Sequence, residues 1–261
     1  MRHTRFRSAG LLPLLLLLMV SPARATACDA ATPFHSDFAD AAHVRTHWQA
    51  ALGPGPGETR FRPWLIRAAG EGADAHLAFR AGGLQAGARL DSRCERFHFG
   101  SYRFNVAVAA TSRILAPRGL VFGLFLYRER PAGEPANEID VEFLTRWRGE
   151  RASASVNFAS HTASGAHHPR ASLEPLPPAC RPGGRCWFGF NWYPSRIDFT
   201  IEDQVVASIE TPDAIPQLPG EVRINYWSGY ERFGGEHPWR RFTSRLYAFT
   251  YEPYPQLQPG G

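Results

Sequence analysis

Apolar and polar residues alternate along most of the chain, in short segments that Gly or Pro residues separate. An alternation with a period of two is typical of β-strands that bury one face. We therefore predict an all-β protein of many short strands, with one helical turn within residues 38–52. Neither an internal repeat nor a second domain is evident, so we expect one sandwich of two sheets. Strands are predicted at residues 60–68, 75–80, 87–93, 97–109, 119–127, 137–143, 155–161, 186–192, 197–202, 205–209, 221–227 and 245–251.

The predicted strand at residues 137–143 has an unusual polar face. That face carries three acids and no base, namely Glu138, Asp140 and Glu142. Like charges along one face repel, and two carboxyl groups in a shared cleft can have their pKa values pushed apart. Such a pair, one ionised and one protonated, is what cleavage of a glycosidic bond needs. The alternative interpretation is an acidic strand face that is simply exposed to solvent.

Three neighbouring strands would place further polar and aromatic residues on the same face as the acids. These candidate substrate-binding residues are Phe125, Tyr127, Asn157, His161, Asn225 and Trp227. Aromatic rings on a cleft face can stack on sugar rings. The strand at residues 119–127 carries apolar residues on both faces, so ordinary burial on both sides is the alternative for Phe125, and a core position is the alternative for Trp227.

Three histidines, His161, His167 and His168, raise the question of a metal site. No strand spacing brings all three together with acids, so we interpret His161 as a cleft residue and the other two as loop residues. The cysteine spacing also disfavours a zinc site. We expect neither a metal nor a cofactor.

Residues 138–144 resemble the active-site signature of glycoside hydrolase family 16, which includes lichenases, laminarinases and xyloglucan transglycosylases. The single residue between Asp140 and Glu142 resembles the lichenase and xyloglucan form. The spacing Asn225-x-Trp227-x-Gly229 resembles a second family motif. The resemblance covers most of the chain after its amino-terminal leader and is strongest over residues 119–147 and 187–229.

This resemblance implies a concanavalin-A-like β-jelly-roll sandwich whose concave sheet forms the substrate cleft. It also implies that Glu138 is the nucleophile, Glu142 the general acid and base, and Asp140 the residue that orients the pair. Retaining chemistry needs carboxyl groups ~5–5.5 Å apart. Four residues along a strand separate Cα atoms by ~13 Å, so the two side chains must lean together on a curved strand. The resemblance places the loop at residues 53–57 near the cleft.

Some positions depart from the lichenase pattern. Ala136 stands where Trp is frequent, and Arg89 and Asp91 stand near the position of a substrate-binding Glu. Arg245 stands at the position of a calcium-binding Asp, so we expect no calcium. These departures leave the identity of the glucan open, and the additional Arg residues would suit an acidic bacterial polymer.

The amino terminus has the pattern of a secretory signal peptide. Three arginines precede an apolar run at residues 11–20, and small residues lead to an expected cleavage after Ala27. We expect residues 1–27 to be the signal and residues 28–261 the catalytic domain, in a secreted or periplasmic protein. Cys28 as a lipid anchor is the alternative, although Ala25 stands where a lipoprotein site normally has Leu. No later segment is long and apolar enough to span a bilayer.

Export makes disulfides possible. Cys180 and Cys186 enclose a short loop with a Pro-Gly-Gly turn and are the favoured pair, which would leave Cys28 to pair with Cys94. The sequence alone permits all three connectivities.

The charge balance gives no reason to expect a nucleic-acid partner. All 29 basic residues are Arg, and four of them belong to the expected signal, which leaves 25 against 24 acids. We expect a monomer whose partner is a polysaccharide, and whose function is the internal cleavage of a β-glucan or a related exopolysaccharide with retention. The alternatives are a transglycosylase that remodels exopolysaccharide and a lectin-like binder without catalysis.

Overall fold

The structure, a computed structural model, describes residues 31–83, 85–109, 119–129, 137–147, 150–169, 177–181, 183–229, 233 and 238–254, with backbone only at 145–147 and 150–155. The predicted signal, Cys28 and Ala136 lie outside these residues. Within the described part, one α-helix, α1 (Ala41–His47), accompanies the strands. Its first turn is capped by Asp40, whose Oδ1 accepts a hydrogen bond of 2.7 Å from the Ala42 N–H.

Short strands make up most of the remaining structure. In chain order they are β1 (Phe34–Ser36), β2 (Trp48–Ala50), β3 (Gly53–Pro54), β4 (Arg60–Phe61), β5 (Ile66–Ala69), β6 (His76–Gly82), β7 (Ala86–Ser92), β8 (Gly100–Ala107), β9 (Leu120–Tyr127), β10 (Glu138–Trp147), β11 (Glu150–Thr162), β12 (Gly165–His167), β13 (Arg185–Trp192), β14 (Ile197–Ile201), β15 (Gln204–Ile209), β16 (Glu221–Ser228) and β17 (Arg241–Pro253).

The strands form two sheets. The first, which we call the outer sheet, has the order β15-β14-β13-β8-β17-β6-β5, with β1 beside β17. The second, the cleft sheet, has the order β12-β11-β10-β9-β16-β7-β4-β3, with β2 beside β7. Neighbouring strands in the centre of the cleft sheet run antiparallel, whereas β4 pairs with β7 in parallel.

The hydrophobic core lies between the two sheets. Phe143 on β10 meets Phe188 on β13 with ring centroids 4.5 Å apart, and Phe158 on β11 stacks on Phe199 of β14 at 4.7 Å. Each of these pairs joins a strand of the cleft sheet to a strand of the outer sheet. Because side chains alternate along a strand, the opposite face of the cleft sheet carries the acids of β10, together with polar and aromatic residues of the neighbouring strands. The predicted two-sheet sandwich is confirmed.

The segment at residues 60–68 is not the single strand predicted from its alternation. Pro63 opens a 3₁₀ turn over Pro63–Leu65, which separates β4 in the cleft sheet from β5 in the outer sheet. Proline has no N–H to contribute to a sheet, so the chain leaves one sheet there and enters the other. The short strand β2 was also not predicted.

The disulfide between Cys180 and Cys186 is confirmed. Cys94 is also disulfide-bonded, and its expected partner Cys28 lies outside the described residues. In the part of the chain that the structure describes, no helix is long and apolar enough to cross a membrane.

Candidate active site

The three acids lie on the open face of the cleft sheet, where β10 is paired on both sides. Glu138 lies opposite His161 of β11 and Tyr127 of β9. Glu142, four residues further on, lies opposite Asn157 and Gly123. The alternation that sends the apolar residues of β10 into the core therefore sends all three acids into the same cleft.

All six substrate-binding residues predicted from the sequence are found at this cleft. Four of them line it together with the acids, and the other two, on β11, contact the acids. The cavity has a volume of about 300 Å³. Asn157 and His161 approach the acids from the β11 side. The lining residues are Pro54, Gly55, Pro56, Phe61, Arg89, Phe125, Tyr127, Glu138, Asp140, Glu142, Arg223, Asn225 and Trp227. The loop at residues 53–57 thus contributes a wall of the cleft, as expected.

Two residues of β11 hold two of the acids. Asn157 Nδ2 donates a hydrogen bond of 2.9 Å to Glu142 Oε2. His161 Nε2 lies 3.1 Å from Asp140 Oδ2, and the Asp140 side chain is almost completely buried. A carboxyl oxygen of Glu138, one of Asp140 and a ring nitrogen of His161 all lie within 4.8 Å of one another. Such a group could hold a cation. It also places the Asp140 carboxyl group beside that of Glu138.

The carboxyl pKa values are raised. Burial raises the pKa of Glu138 to about 8, and the nearby charge of Asp140 contributes in the same direction. Burial also raises the pKa of Glu142 to about 7, although its hydrogen bond from Asn157 acts against this. The pKa of Asp140 is raised as well, first by burial and then by the charge of Glu142. Near neutral pH the cleft therefore retains at least one proton.

The two glutamates have different surroundings. Asn157 stabilises the ionised form of Glu142, whereas Glu138 lies beside another acid.

Gly123 provides space beside Glu142. Its N–H donates a hydrogen bond of 3.2 Å to Asn225 Oδ1, so the Asn225 amide lies across the glycine. A Cβ atom at position 123 would lie only 2.6 Å from that oxygen. A side chain at position 123, between Glu142 on one neighbouring strand and Asn225 on the other, would therefore have to displace the Asn225 amide.

The aromatic residues form walls of the cleft more than open platforms. Trp227 is 3% exposed and packs with Phe61, Val121 and Leu144. The ring of Phe233 stacks on it at 5.9 Å, with an angle of 14° between the planes. The expectation that a sugar stacks on the face of Trp227 therefore does not fit this packing.

Arg223 was not recognised from the sequence as a site residue. Its guanidinium lies 3.9 Å from the centroid of the Tyr127 ring, and the Arg223 side chain is only 12% exposed. It forms an ion pair with Glu221 and another of 3.1 Å with Glu129. The signal was its position two residues before Asn225, on the same strand face.

The arginines of the cleft are neutralised by acids. Arg89 pairs with Asp91 at 3.0 Å, and Arg223 pairs with Glu221 and Glu129. Arg89 is therefore already paired with an acid, so the idea that additional Arg residues near the cleft suit an acidic polymer gains no support from it.

His168 is a second residue whose position the sequence did not reveal. The hairpin of β11 and β12 returns the chain toward the cleft, and His168 Nδ1 lies 3.1 Å from Asn157 Oδ1. His167 instead contacts Ser164 through Nε2 at 2.8 Å. His168 thus contacts the same Asn157 amide group that contacts Glu142. In the sequence, only Gly165 indicated the turn that brings the chain back.

The sequence of the chain matches the glycosyl hydrolases family 16 over residues 67–241. The chain belongs to this family. The β-glucanase of Bacillus licheniformis is 26% identical over 135 residues, which are 52% of this chain and 49% of the relative. The β-glucanase of Bacillus amyloliquefaciens is 27% identical over 111 residues. The chain thus spans about half the length of the curated relatives it matches.

Solved structures share the fold of this family member. The structure of Bacillus licheniformis β-glucanase has a TM-score of 0.67 at 20% identity and covers 85% of this chain and 98% of that chain. A structure of Crh5 transglycosylase with NAG has a TM-score of 0.59 at 17% identity and covers 87% of this chain and 86% of that one. The expected β-jelly-roll sandwich is confirmed.

The raised pKa of Glu138 predicts how stability depends on pH. A carboxyl that holds its proton more tightly in the folded state destabilises the fold as pH rises from its ordinary pKa of 4.5 to about 8. Glu138→Gln removes this penalty. We expect the free energy of unfolding of the variant to exceed that of the wild type by at least ~1 kcal/mol near pH 8, and the difference to vanish near pH 4.

Urea unfolding of both proteins across this pH range measures the difference. Glu252→Gln is the matched control, since it makes the same substitution at an exposed acid outside the cleft. A Glu138→Gln difference that stays constant with pH would contradict the raised pKa.

Proposed function

We propose that this protein is a secreted glycoside hydrolase that cleaves internal bonds of a β-glucan with net retention of configuration. The observation that carries the proposal is the pair Glu138 and Glu142, which share one buried cleft with Asp140 between them and keep a proton near neutral pH. Membership of family 16 and the similarity to β-glucanases support the same reaction.

In the proposed reaction, the Glu138 carboxylate attacks the anomeric carbon while the Glu142 carboxyl group donates its proton to the leaving oxygen. The resulting ester between the sugar and Glu138 is then cleaved by water, whose proton returns to Glu142. The productive form has Glu142 protonated and Glu138 ionised. A protonated Asp140 can stabilise that form by donating a hydrogen bond to the Glu138 carboxylate, and burial raises the pKa of Asp140.

A neutral β-glucan fits the charges of the cleft better than an acidic polymer. Arg89 and Arg223, the arginines among the described lining residues, are compensated by carboxylates, so neither offers an anionic sugar an unpaired charge. Internal cleavage is supported by the position of the acids in the middle of the sheet, with strands on both sides across which a long chain can lie.

Transglycosylation is the second candidate, supported by the similarity to Crh5 transglycosylase. The first half of the reaction would be the same, and a sugar hydroxyl would replace water in the second half. A lectin-like binder is disfavoured because both glutamates are present.

The two glutamate roles can be separated with azide as an external nucleophile and an aryl β-glucoside oligomer that has a good leaving group. Glu138→Ala should lose turnover by ~10³-fold or more, and azide should then attack directly and give the α-glycosyl azide. Glu142→Ala should still form the glycosyl ester, so azide should give the β-glycosyl azide. Exchanged products, or the same azide from both variants, would contradict the assignment.

The reaction class can be read from the first product by proton NMR. Mixed-linkage glucan, laminarin, xyloglucan and a succinoglycan-type polymer serve as substrates, with Glu138→Gln as the inactive control. We expect a β-anomer and internal fragments from at least one neutral glucan. An α-anomer, or release of monosaccharide alone, would contradict the proposal, and products longer than the substrate would identify a transglycosylase.

Gly123 gives a test of the cleft geometry. Because a Cβ at position 123 would meet Asn225 Oδ1, Gly123→Ala should displace that amide and lower kcat/KM by about tenfold. In an Asn225→Ala background the same substitution should cost little, since its clash partner is absent. Equal losses in both backgrounds would mean that the effect does not pass through Asn225.

A further inference from the structure

A second pocket lies at the edge where the two sheets meet, and it shares no lining residue with the catalytic cleft. Its volume is about 520 Å³. The residues that line it are Arg60, Arg62, Trp64, Leu65, Gly83, Gln85, Ala86 and Arg241. We propose that this pocket is a non-catalytic binding site for an anionic glycan, in which a sugar ring stacks on Trp64 and its carboxylate is bound by the three arginines.

Trp64 is an exposed aromatic ring on a firmly held segment. Its side chain is 60% exposed, although it lies within the 3₁₀ turn Pro63–Leu65, whose Leu65 is buried in the core. The Arg62 guanidinium lies 5.5 Å from the centroid of the Trp64 ring. An indole held in this way by its neighbours offers a flat surface with little ordering cost, as sugar stacking requires.

The charged residues that line the pocket are all arginines. In the part of the chain that the structure describes, Arg60, Arg62 and Arg241 form no ion pair with a carboxylate. The nearby acid Glu58 instead accepts a hydrogen bond from Gln85. This contrasts with the catalytic cleft, where each arginine is neutralised, so an anionic ligand is favoured here and not there.

The alternation of β4 keeps the two sites apart. Phe61 points into the catalytic cleft, whereas its neighbours Arg60 and Arg62 line the second pocket. The short strand β4 thus separates the catalytic cleft, which suits a neutral sugar, from the second pocket, which suits a charged sugar. The three arginines line a single pocket and do not form an extended stripe of positive charge, which a nucleic-acid backbone would follow. A glycan therefore fits this pocket better than a nucleic acid.

The test measures binding, so its result does not depend on the catalytic proposal. The probe is a β-1,4-linked oligoglucuronate, compared with a cello-oligosaccharide of equal length, both titrated calorimetrically into Glu138→Gln protein. We expect Trp64→Ala, and a triple Arg→Gln variant of positions 60, 62 and 241, to weaken oligoglucuronate binding by about tenfold or more. Binding should also weaken with added salt. Neither change should alter cello-oligosaccharide binding.

Two matched controls remove similar groups outside the pocket. Trp187→Ala removes an indole of the outer sheet that also has an arginine over its ring, and Arg67→Gln removes another exposed arginine. Both should leave oligoglucuronate binding unchanged. In otherwise wild-type protein, Trp64→Ala should leave turnover of a short aryl glycoside unchanged.

Four results would overturn the proposal. Wild-type affinity in the Trp64→Ala variant would exclude stacking on Trp64. An equal loss of oligoglucuronate affinity in the control variants would show that the effect comes from the general charge or surface of the protein and not from this pocket. Inorganic sulfate that binds as tightly as the oligoglucuronate would identify an anion site without sugar recognition. A single-stranded oligonucleotide or an anionic lipid vesicle that binds more tightly, with the same dependence on the three arginines, would identify a different ligand.

Discussion

The pairing of β10 between β9 and β11 is the constraint on which the candidate site depends. Because the side-chain period of a strand is two, a slip by one residue would turn three carboxyl groups into the core and three apolar side chains toward water. The contacts of Phe143 with Phe188, and of Phe158 with Phe199, oppose such a slip from the core side. The apolar core thus fixes the register, and the register places the acids.

That placement has an energetic cost, which the same contacts limit. Three acids lie close together in a largely buried cleft, and the pKa values of all three are raised. Asn157 and His161 reduce the cost by contacting Glu142 and Asp140. Raised carboxyl pKa values destabilise the fold near neutral pH. Proton donation near neutral pH requires the same raised values, so stability and the proposed function oppose each other at these positions.

The arginines divide into two classes according to their partners. Arg89 and Arg223 on the open face of the cleft sheet are compensated by neighbouring acids. Those of the second pocket point toward solvent without a carboxylate partner in the described residues. Arginines therefore differ in what they can bind according to whether a carboxylate pairs with them. The net charge of the chain does not show this difference.

The sequence by itself determined the two-sheet architecture, the acid face of β10, the position of the Cys180–Cys186 loop and the strand faces on which Phe125, Asn157 and Asn225 lie. Each of these follows from local spacing, since alternation along a strand is fixed by residues two positions apart. Only the tertiary structure decided that Trp227 is covered by Phe233, that Arg89 and Arg223 are compensated, that His168 reaches Asn157, and that burial raises the pKa values of Glu138 and Glu142. Burial and pKa depend on side chains from strands distant in the sequence, and local spacing does not specify which side chains meet there.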